Sequence, residues 1–452
     1  MKSEEQPLDA AIRGLAKGRK PGRVMDVTRP DLWIGLDERI RTAHAWRGLG
    51  QPDHRWLGRE GGGPAAAAGA STPTEAELAL ALCDGDGRIR EAALSHAARR
   101  PGVLPLVAVR TTDWAGPVRE RAHAVLAAAL PEADAGTLGV TAPVILALSG
   151  RLRGGAASAL LAEVLRAAPA ATVSALLLNR DRVTRRFALG TAVERRLLPP
   201  AELARLAAYD QDVVVQARAA DAALAAGVPD ETLPLLLGAR TGSVRAAGVT
   251  ALRRAGRAAE AEPFLYDRSG MVRACARYVL RQDGRDPLAL YRAACADPAT
   301  VPGRAPLGLA ECGDAHTDVA RLWELTGHEQ ALVRASAVAG LRLFEVADHA
   351  RLLPLLDDPA PGVVREAARA LLPWADRLPE AEIVRRIGPD RPRHVRLRVL
   401  RLLERQGSPA YREAVRRLAE EPDPLPRAGS GTDTAATRPP SWPWTWLRAR
   451  RN

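Results

Sequence analysis

Histidine, cysteine and paired carboxylates are the side chains that do most chemistry, and in this chain they stand apart. The one cluster of ligand types is Cys312, His316 and His328. Its spacing, three residues and then eleven, matches no common zinc site, so no metal centre is expected. The pairs Asp357-Asp358 and Glu420-Glu421 fall in turns between helical stretches, where a carboxylate ordinarily caps a helix start. His96 and His123 lie within helical stretches and read as partly buried. No Gly-rich loop follows a strand, and the phosphate-loop, HExxH and nucleophile-elbow patterns are missing. Cys83, Cys275, Cys295 and Cys312 show no CxxC spacing and read as reduced thiols. No catalytic residue, cofactor or metal is expected, and the chain reads as non-enzymatic.

What remains is arginine. Of 65 basic residues only Lys2, Lys17 and Lys20 are lysine, and the formal charge is +12. The arginines are spread along the chain rather than gathered in one patch. That favours solvated or structural roles over a polyanion site.

The elements that position these arginines repeat. Residues 358–372, DPAPGVVREAARALL, open on a helix-breaking run and become an amphipathic helix with Val364, Ala368, Leu371 and Leu372 on one stripe. The mark, an apolar residue before Arg and a small residue three after it, recurs. Lined up on that residue, the anchors are Arg90, Arg119, Arg153, Arg185, Gln216, Arg245, Arg273, Arg304, Arg334, Arg365 and Arg396, at intervals of 28 to 34 residues. The preceding residue is Ile89, Val118, Leu152, Val215, Val244, Val272, Val333, Val364 or Val395. The small residue is Ala93, Ala122, Ala156, Ala188, Ala219, Gly248, Ala276, Ala337 or Ala368. Four before the anchor stands a cap type in seven units: Asp86, Ser149, Asp181, Asp212, Thr241, Ser269 and Thr300. Such agreement at one period predicts an array of helical hairpins, the small residue letting second helices press together. The anchors are expected to reach capping oxygens or carboxylates of the adjacent unit. Pro105, Pro143, Pro234 and Pro354 are expected to kink or shorten first helices.

This Asp/Ser-x-x-Val-Arg-x-x-Ala pattern resembles the HEAT repeat, above all the short HEAT-like units first associated with phycobilin lyases. The resemblance implies an all-α, right-handed solenoid of about eleven hairpins. It also implies a scaffold that offers its concave helical face to another protein. Some related helical-repeat proteins bind DNA or remove damaged bases, which gives the alternative reading. A lyase-type auxiliary activity is a third, weaker one.

The expected organisation is a mobile segment over 1–30, a helical cap or degenerate repeat over 31–60, a Gly/Ala-rich linker over 61–73, the solenoid over 74–421 and a disordered tail over 422–452. The N-terminus has no apolar signal region, and the longest charge-free stretch, 135–150, is short and broken by Gly and Pro, so a cytoplasmic protein is expected. Candidate partner-binding residues are Arg277 and Arg281, which share a helix face with Arg273, then Arg369, Arg398 and Arg401. The tail adds Trp442, Trp444 and Trp446 before a basic end, a pattern that suits docking in a groove or on an anionic membrane. The expected partner is a protein with an acidic surface, with nucleic acid the less favoured choice.

Overall fold

Alanine and leucine at helical spacing, with Gly, Pro or Asp at nearly every turn, dictate short helices that must each bury a stripe. The computed structural model describes residues 2–41, 56, 72–227 and 231–419, and every element there is helical. The chain divides into two compact units, 1–251 and 252–452.

In the first unit α1 (Lys2–Ala16) and α2 (Pro30–Ile40) precede the hairpins. These pair α3 (Glu75–Leu82) with α4 (Gly87–Ala97), α5 (Leu104–Arg110) with α6 (Gly116–Ala129), and α7 (Ala135–Leu148) with α8 (Gly155–Ala167). Next come α9 (Ala170–Leu177) with α10 (Arg182–Glu194), α11 (Pro200–Tyr209) with α12 (Val213–Ala225), and α13 (Thr232–Leu237) with α14 (Gly242–Arg254). First helices pack in succession, α3 on α5, α5 on α7, α7 on α9 and α11 on α13. Second helices do the same, α4 on α6, α6 on α8, α8 on α10 and α10 on α12.

The second unit continues the order. A 3-10 helix, Ala258–Tyr266, pairs with α15 (Gly270–Gln282), α16 (Pro287–Ala296) with α17 (Ala305–Ala310), and α18 (Ala315–Leu325) with α19 (Ala331–Leu343). The four-residue α20 (His349–Leu352) runs into a 3-10 turn and pairs with α21 (Pro361–Leu371). Then α22 (Glu380–Val384) pairs with α23 (Arg393–Gln406), and α24 (Pro409–Ala419) packs on α23. Helices α17, α19, α21 and α23 pack in file. Eleven helix pairs thus follow one another among the described residues, an all-α solenoid-type array.

The columns show how the stack closes. Val118, Val215, Val244, Val272, Val333, Val364 and Val395 are all buried. So are Ala93, Ala122, Ala188, Ala219, Ala276, Ala337 and Ala368. At Gly248 a Cβ would stand 3.0 Å from the Leu236 Cβ and 3.2 Å from its backbone carbon, so only the smallest residue lets α14 lie this close to α13.

The four prolines act differently, and Pro143 does not shorten its fourteen-residue helix. Pro105 stands in the first turn of α5, where no N–H is needed, while Pro234 and Pro354 accompany a six-residue and a four-residue helix. Pro143 lies inside α7 and deprives the Gly139 carbonyl of its helical donor. Asn179, from the next hairpin's turn, donates its side-chain amide to that carbonyl at 2.8 Å.

Several expectations are corrected. Residues 2–16, read as mobile, form α1, which buries Ala11, Ile12 and Leu15 against α2 and α3. Pro7 and Gly14 lie inside it, and Gly14 lets the returning chain approach, since a Cβ there would meet Val24 Cγ1 at 2.4 Å. Within 31–60, α2 buries Trp33, Leu36 and Ile40 and packs on α5 and α7 as well as α1, so it lies across first helices instead of extending the row. Ser149 is the last residue of α7's end and Thr300 lies in a loop, so neither caps a second helix. Ser269 holds the N-cap position of α15 without a side-chain cap bond. The linker expected over 61–73, apart from its last two residues, and the tail over 422–452 lie outside the described residues.

Candidate partner interface

A residue four past the N-cap of a second helix directs its side chain back over the preceding turn. There the carbonyls of the turn between the two helices lie outside any helical ladder and need donors. Arginine spans that gap. Arg90 Nη1 donates to the Asp84 and Gly85 carbonyls at 2.9 and 3.0 Å. Arg185 does so to Asn179 and Arg180 at 2.8 and 3.1 Å, Arg245 to Ala239 and Arg240 at 2.8 Å each, and Arg334 to His328 and Glu329 at 2.9 Å each. Arg119 reaches the Asp113 carbonyl, Arg273 that of Asp267, and Gln216 that of Asp210.

The rest of the guanidinium faces the next turn. Arg90 makes a two-bond fork to Asp113, 2.9 Å on each arm, and Arg334 an equal fork to Asp358. Arg185 pairs with Asp210, and Arg273 with Glu311 at the end of α17. Gln216 takes its partner in neutral form, accepting from the Thr241 hydroxyl at 2.5 Å.

These acceptors lie six residues before the anchor, and all but Ala239 carry a polar side chain: Asp84, Asp113, Asn179, Asp210, Asp267 and His328. In each the side chain also accepts from the backbone N–H two residues on, at 2.7 to 3.0 Å. Sequence reasoning missed this column because three residue types share it. A six-residue offset from the anchor would have revealed it.

Three anchors are corrected, one of them by the same offset. Asp358 holds the Ala360 N–H at 2.8 Å, which places Val364, not Arg365, at the anchor position of α21. Asp297 holds the Ala299 N–H at 3.0 Å, but Arg304 is itself the N-cap of α17, not four residues past one, so it does not hold the anchor place. In α8 Gly154 is the N-cap, where a Cβ would lie 1.9 Å from the Leu148 carbonyl oxygen, so Arg153 stands before the helix and not at the anchor place. Arg153 is left exposed in the turn beside Leu152, which is 98% exposed, and Ala156 is exposed too. Arg396 keeps the expected place in α23, half-buried and four residues past Pro392.

Burial raises the Asp113 carboxyl, but the Arg90 hydrogen bond, the Ala115 N–H and the charges of Arg110 and Arg90 outweigh it and hold it below the ordinary value. Asp113 and Arg90 have fully buried side chains, and Arg110, paired to both Asp113 and Asp37, ties α2 into the same network. Glu311 is likewise raised by burial and lowered further by Arg273 and Arg277.

A second constellation lies on the second helices of unit two. Helix α15 carries three arginines and no acid, α19 two and none, α21 two with Glu366, and α23 five with Glu404. On the first-helix side the 3-10 helix Ala258–Tyr266 carries two glutamates and no base, and α18 sets Arg321 against Asp318 and Glu324. Arg277 is not an open cation, since it pairs with Glu311. Arg281 is exposed. Arg369 and Arg365 both contact the buried Glu366, at 3.0 and 3.1 Å, and Arg342 reaches it at 4.0 Å. Arg398 is half-buried and Arg401 exposed on α23. Arg304 is half-buried, and burial followed by the charge of Arg273 pushes its pKa below the usual guanidinium value. Trp442, Trp444 and Trp446 lie outside the described residues.

No family model matches this chain, and no curated protein matches it. Among solved structures, Kap121p aligns over 85% of this chain and 49% of its own, at 13% identity and a TM-score of 0.27. Kap121p bound to Nup53p aligns over 93% and 44%, at 11% identity and a TM-score of 0.23. A structure of microtubule polymerases with tumor overexpressed gene domain arrays, concerned with tubulin recruitment, aligns over 86% and 94%, at 10% identity and a TM-score of 0.21. The chain spans about half the length of the Kap121p chains it matches.

Cys312 and His328, two of the three ligand types that cluster in the sequence, take local roles. His328 contacts the Pro298 carbonyl at 2.7 Å and accepts from the Gln330 N–H, and Cys312 Sγ lies 3.4 Å from the Gly308 carbonyl. Among the described residues no three of His, Cys, Asp and Glu are placed to share an ion. All four cysteines are unpaired, and burial pushes the Cys295 thiol up to about 12, far from the reactive range. No described helix is long and apolar enough to cross a membrane.

Proposed function

We propose that this protein is a non-enzymatic, cytoplasmic interaction scaffold of the short HEAT-like kind. It takes a protein partner along the side lined by its second helices, the concave side of a solenoid. The observation that carries this reading is the charge of unit two, where arginines crowd the second helices while the first helices mix both signs. A fold that buries its own polar ends with side-chain ladders leaves its outward arginines available for recognition.

The test is affinity capture with the full chain from nuclease-treated lysate, followed by mass spectrometry. One protein retained in defined stoichiometry supports the scaffold. Retention that vanishes with nuclease, together with duplex DNA shifting at physiological salt, would transfer the proposal to the DNA-binding alternative.

A further inference from the structure

The described residues of unit one expose seven large apolar side chains, and six of them gather where a first helix passes into its second. Trp114 is 70% exposed between α5 and α6, Leu152 98% between α7 and α8, and Leu178 83% between α9 and α10. Tyr209, the last residue of α11, is 73% exposed, and Val213, the first of α12, 61%. Val183 stands on the first turn of α10, and only Val193 lies at that helix's far end. Scattered exposed apolar residues are ordinary, but this gathering is not scattered. Helices α6, α8, α10 and α12 pack in file, so the four turns succeed one another along one edge of the unit. Two ladder pairs tie the last two turns together, Arg185 to Asp210 at 3.4 Å and Arg186 to Asp212 at 2.8 Å.

The charge of the same edge has one sign left over. The acids of the turns are engaged within the fold: Asp113 by Arg90 and Arg110, Asp181 by the start of α10, and Asp210 and Asp212 by the ladder. Arg151 meets Glu38 at 3.5 Å, and Arg180 is among the charges acting on Asp26. Arg153 and Arg182 are exposed beside Leu152 and Val183, and neither has an ion pair among the described residues.

We propose that this edge of unit one docks on an anionic lipid surface. Leu152, Leu178 and Tyr209 enter the headgroup boundary, and Arg153 and Arg182 meet the lipid anions. The form of the edge favours a bilayer over a folded partner. Its apolar side chains stand on successive hairpins, about 10 Å apart by the spacing of packed helices. A protein interface needs a continuous, well-packed apolar centre. The interfacial layer of a bilayer admits separate apolar tips and favours aromatic rings with a polar end. The edge shares no residue with the arginines of unit two on which the scaffold reading rests.

The test is flotation of the full chain with vesicles of phosphatidylcholine alone and of phosphatidylcholine mixed with phosphatidylserine. Binding to the mixed vesicles, falling as salt rises, is expected. Leu152→Asn combined with Leu178→Asn should weaken it about tenfold, and Arg182→Gln about fivefold. Both variants should melt like wild type, because these side chains lie outside the core. Val193→Asn, at the far end of α10, should bind as wild type does. No binding to either vesicle overturns the site, and so does equal binding to both. Wild-type binding by either edge variant also overturns it, and moves membrane attachment elsewhere on the chain. If wild type ignores vesicles while the double variant loses a captured protein, the edge belongs to a protein partner and the lipid proposal fails.

Discussion

Replacing Asp113 with Asn should damage the first unit more than any other single loss of charge in the ladder. Its carboxylate is fully buried and accepts from Arg90 Nε and Nη2 at 2.9 Å each, from Arg110 Nη1 at 2.8 Å and from the Ala115 N–H at 3.0 Å. Asn keeps the shape and one acceptor but leaves Arg90 uncompensated, while Arg110 retains only Asp37. Stranding a buried cation costs about 3–5 kcal/mol. Asp358→Asn provides the internal standard. Its fork to Arg334 has the same distances, but the pair is 10% and 15% exposed, so water screens the loss and about 1.5–3 kcal/mol is expected. Urea unfolding followed by helical circular dichroism gives the first transition, and amide exchange over α4 and α6 localises it. If Asp113→Asn costs no more than Asp358→Asn, or if α4 and α6 keep their protection, burial is not what makes this network matter.

Three further outcomes are expected. Asn179→Ala removes the donor that satisfies Gly139 above Pro143 and should cost about 1–3 kcal/mol, with faster amide exchange at the α7–α9 contact. Gly14→Val drives a branched side chain into Val24, so limited proteolysis should cut the N-terminal segment sooner while the hairpins stay folded. Lowering pH should unfold both units by protonating carboxylates. The folded-state pKa values of Asp113, Asp212 and Glu311 lie below ordinary, so the stability they contribute is present above the unfolded carboxylate value of about 4 and is lost as pH falls through the folded one. Acid titration of wild type against Asp113→Asn should show a shallower loss in the variant.

The array was legible because its core columns carry one physical demand each. Val at 118, 215 and 333 and Ala at 122, 219 and 337 recur because a stacked second helix needs apolar bulk at one place and almost none at another. The anchor ladder was half legible. Arginine marks it, but a guanidinium reaches its target along a flexible stem, so Arg365 imitates the position from one residue away, while Arg153 and Arg304 stand at or before a helix start. The acceptor column was illegible by residue type, since Asp, Asn and His all present an oxygen or nitrogen to the same N–H. The packing of α1 and α2 across first helices escaped because amphipathic helices declare that they bury a face, not which one they bury it against.

The ladder and the interface follow from the same substitution. Where an anchor Arg is present it is consumed, with carbonyls behind it and a carboxylate ahead, and it presents no charge to a partner. At Val364, four past the N-cap Ala360, the ladder omits its arginine, and the next residue, Arg365, reaches Glu366 at 3.1 Å instead of a ladder carbonyl. Position along one helical turn then decides function: a guanidinium at the anchor joins neighbouring hairpins, and one residue later, about a hundred degrees around the helix, it faces outward. Under the proposed scaffold reading, partner contacts on this side of unit two fall to arginines outside the ladder, while the regular repeats hold the surface that carries them.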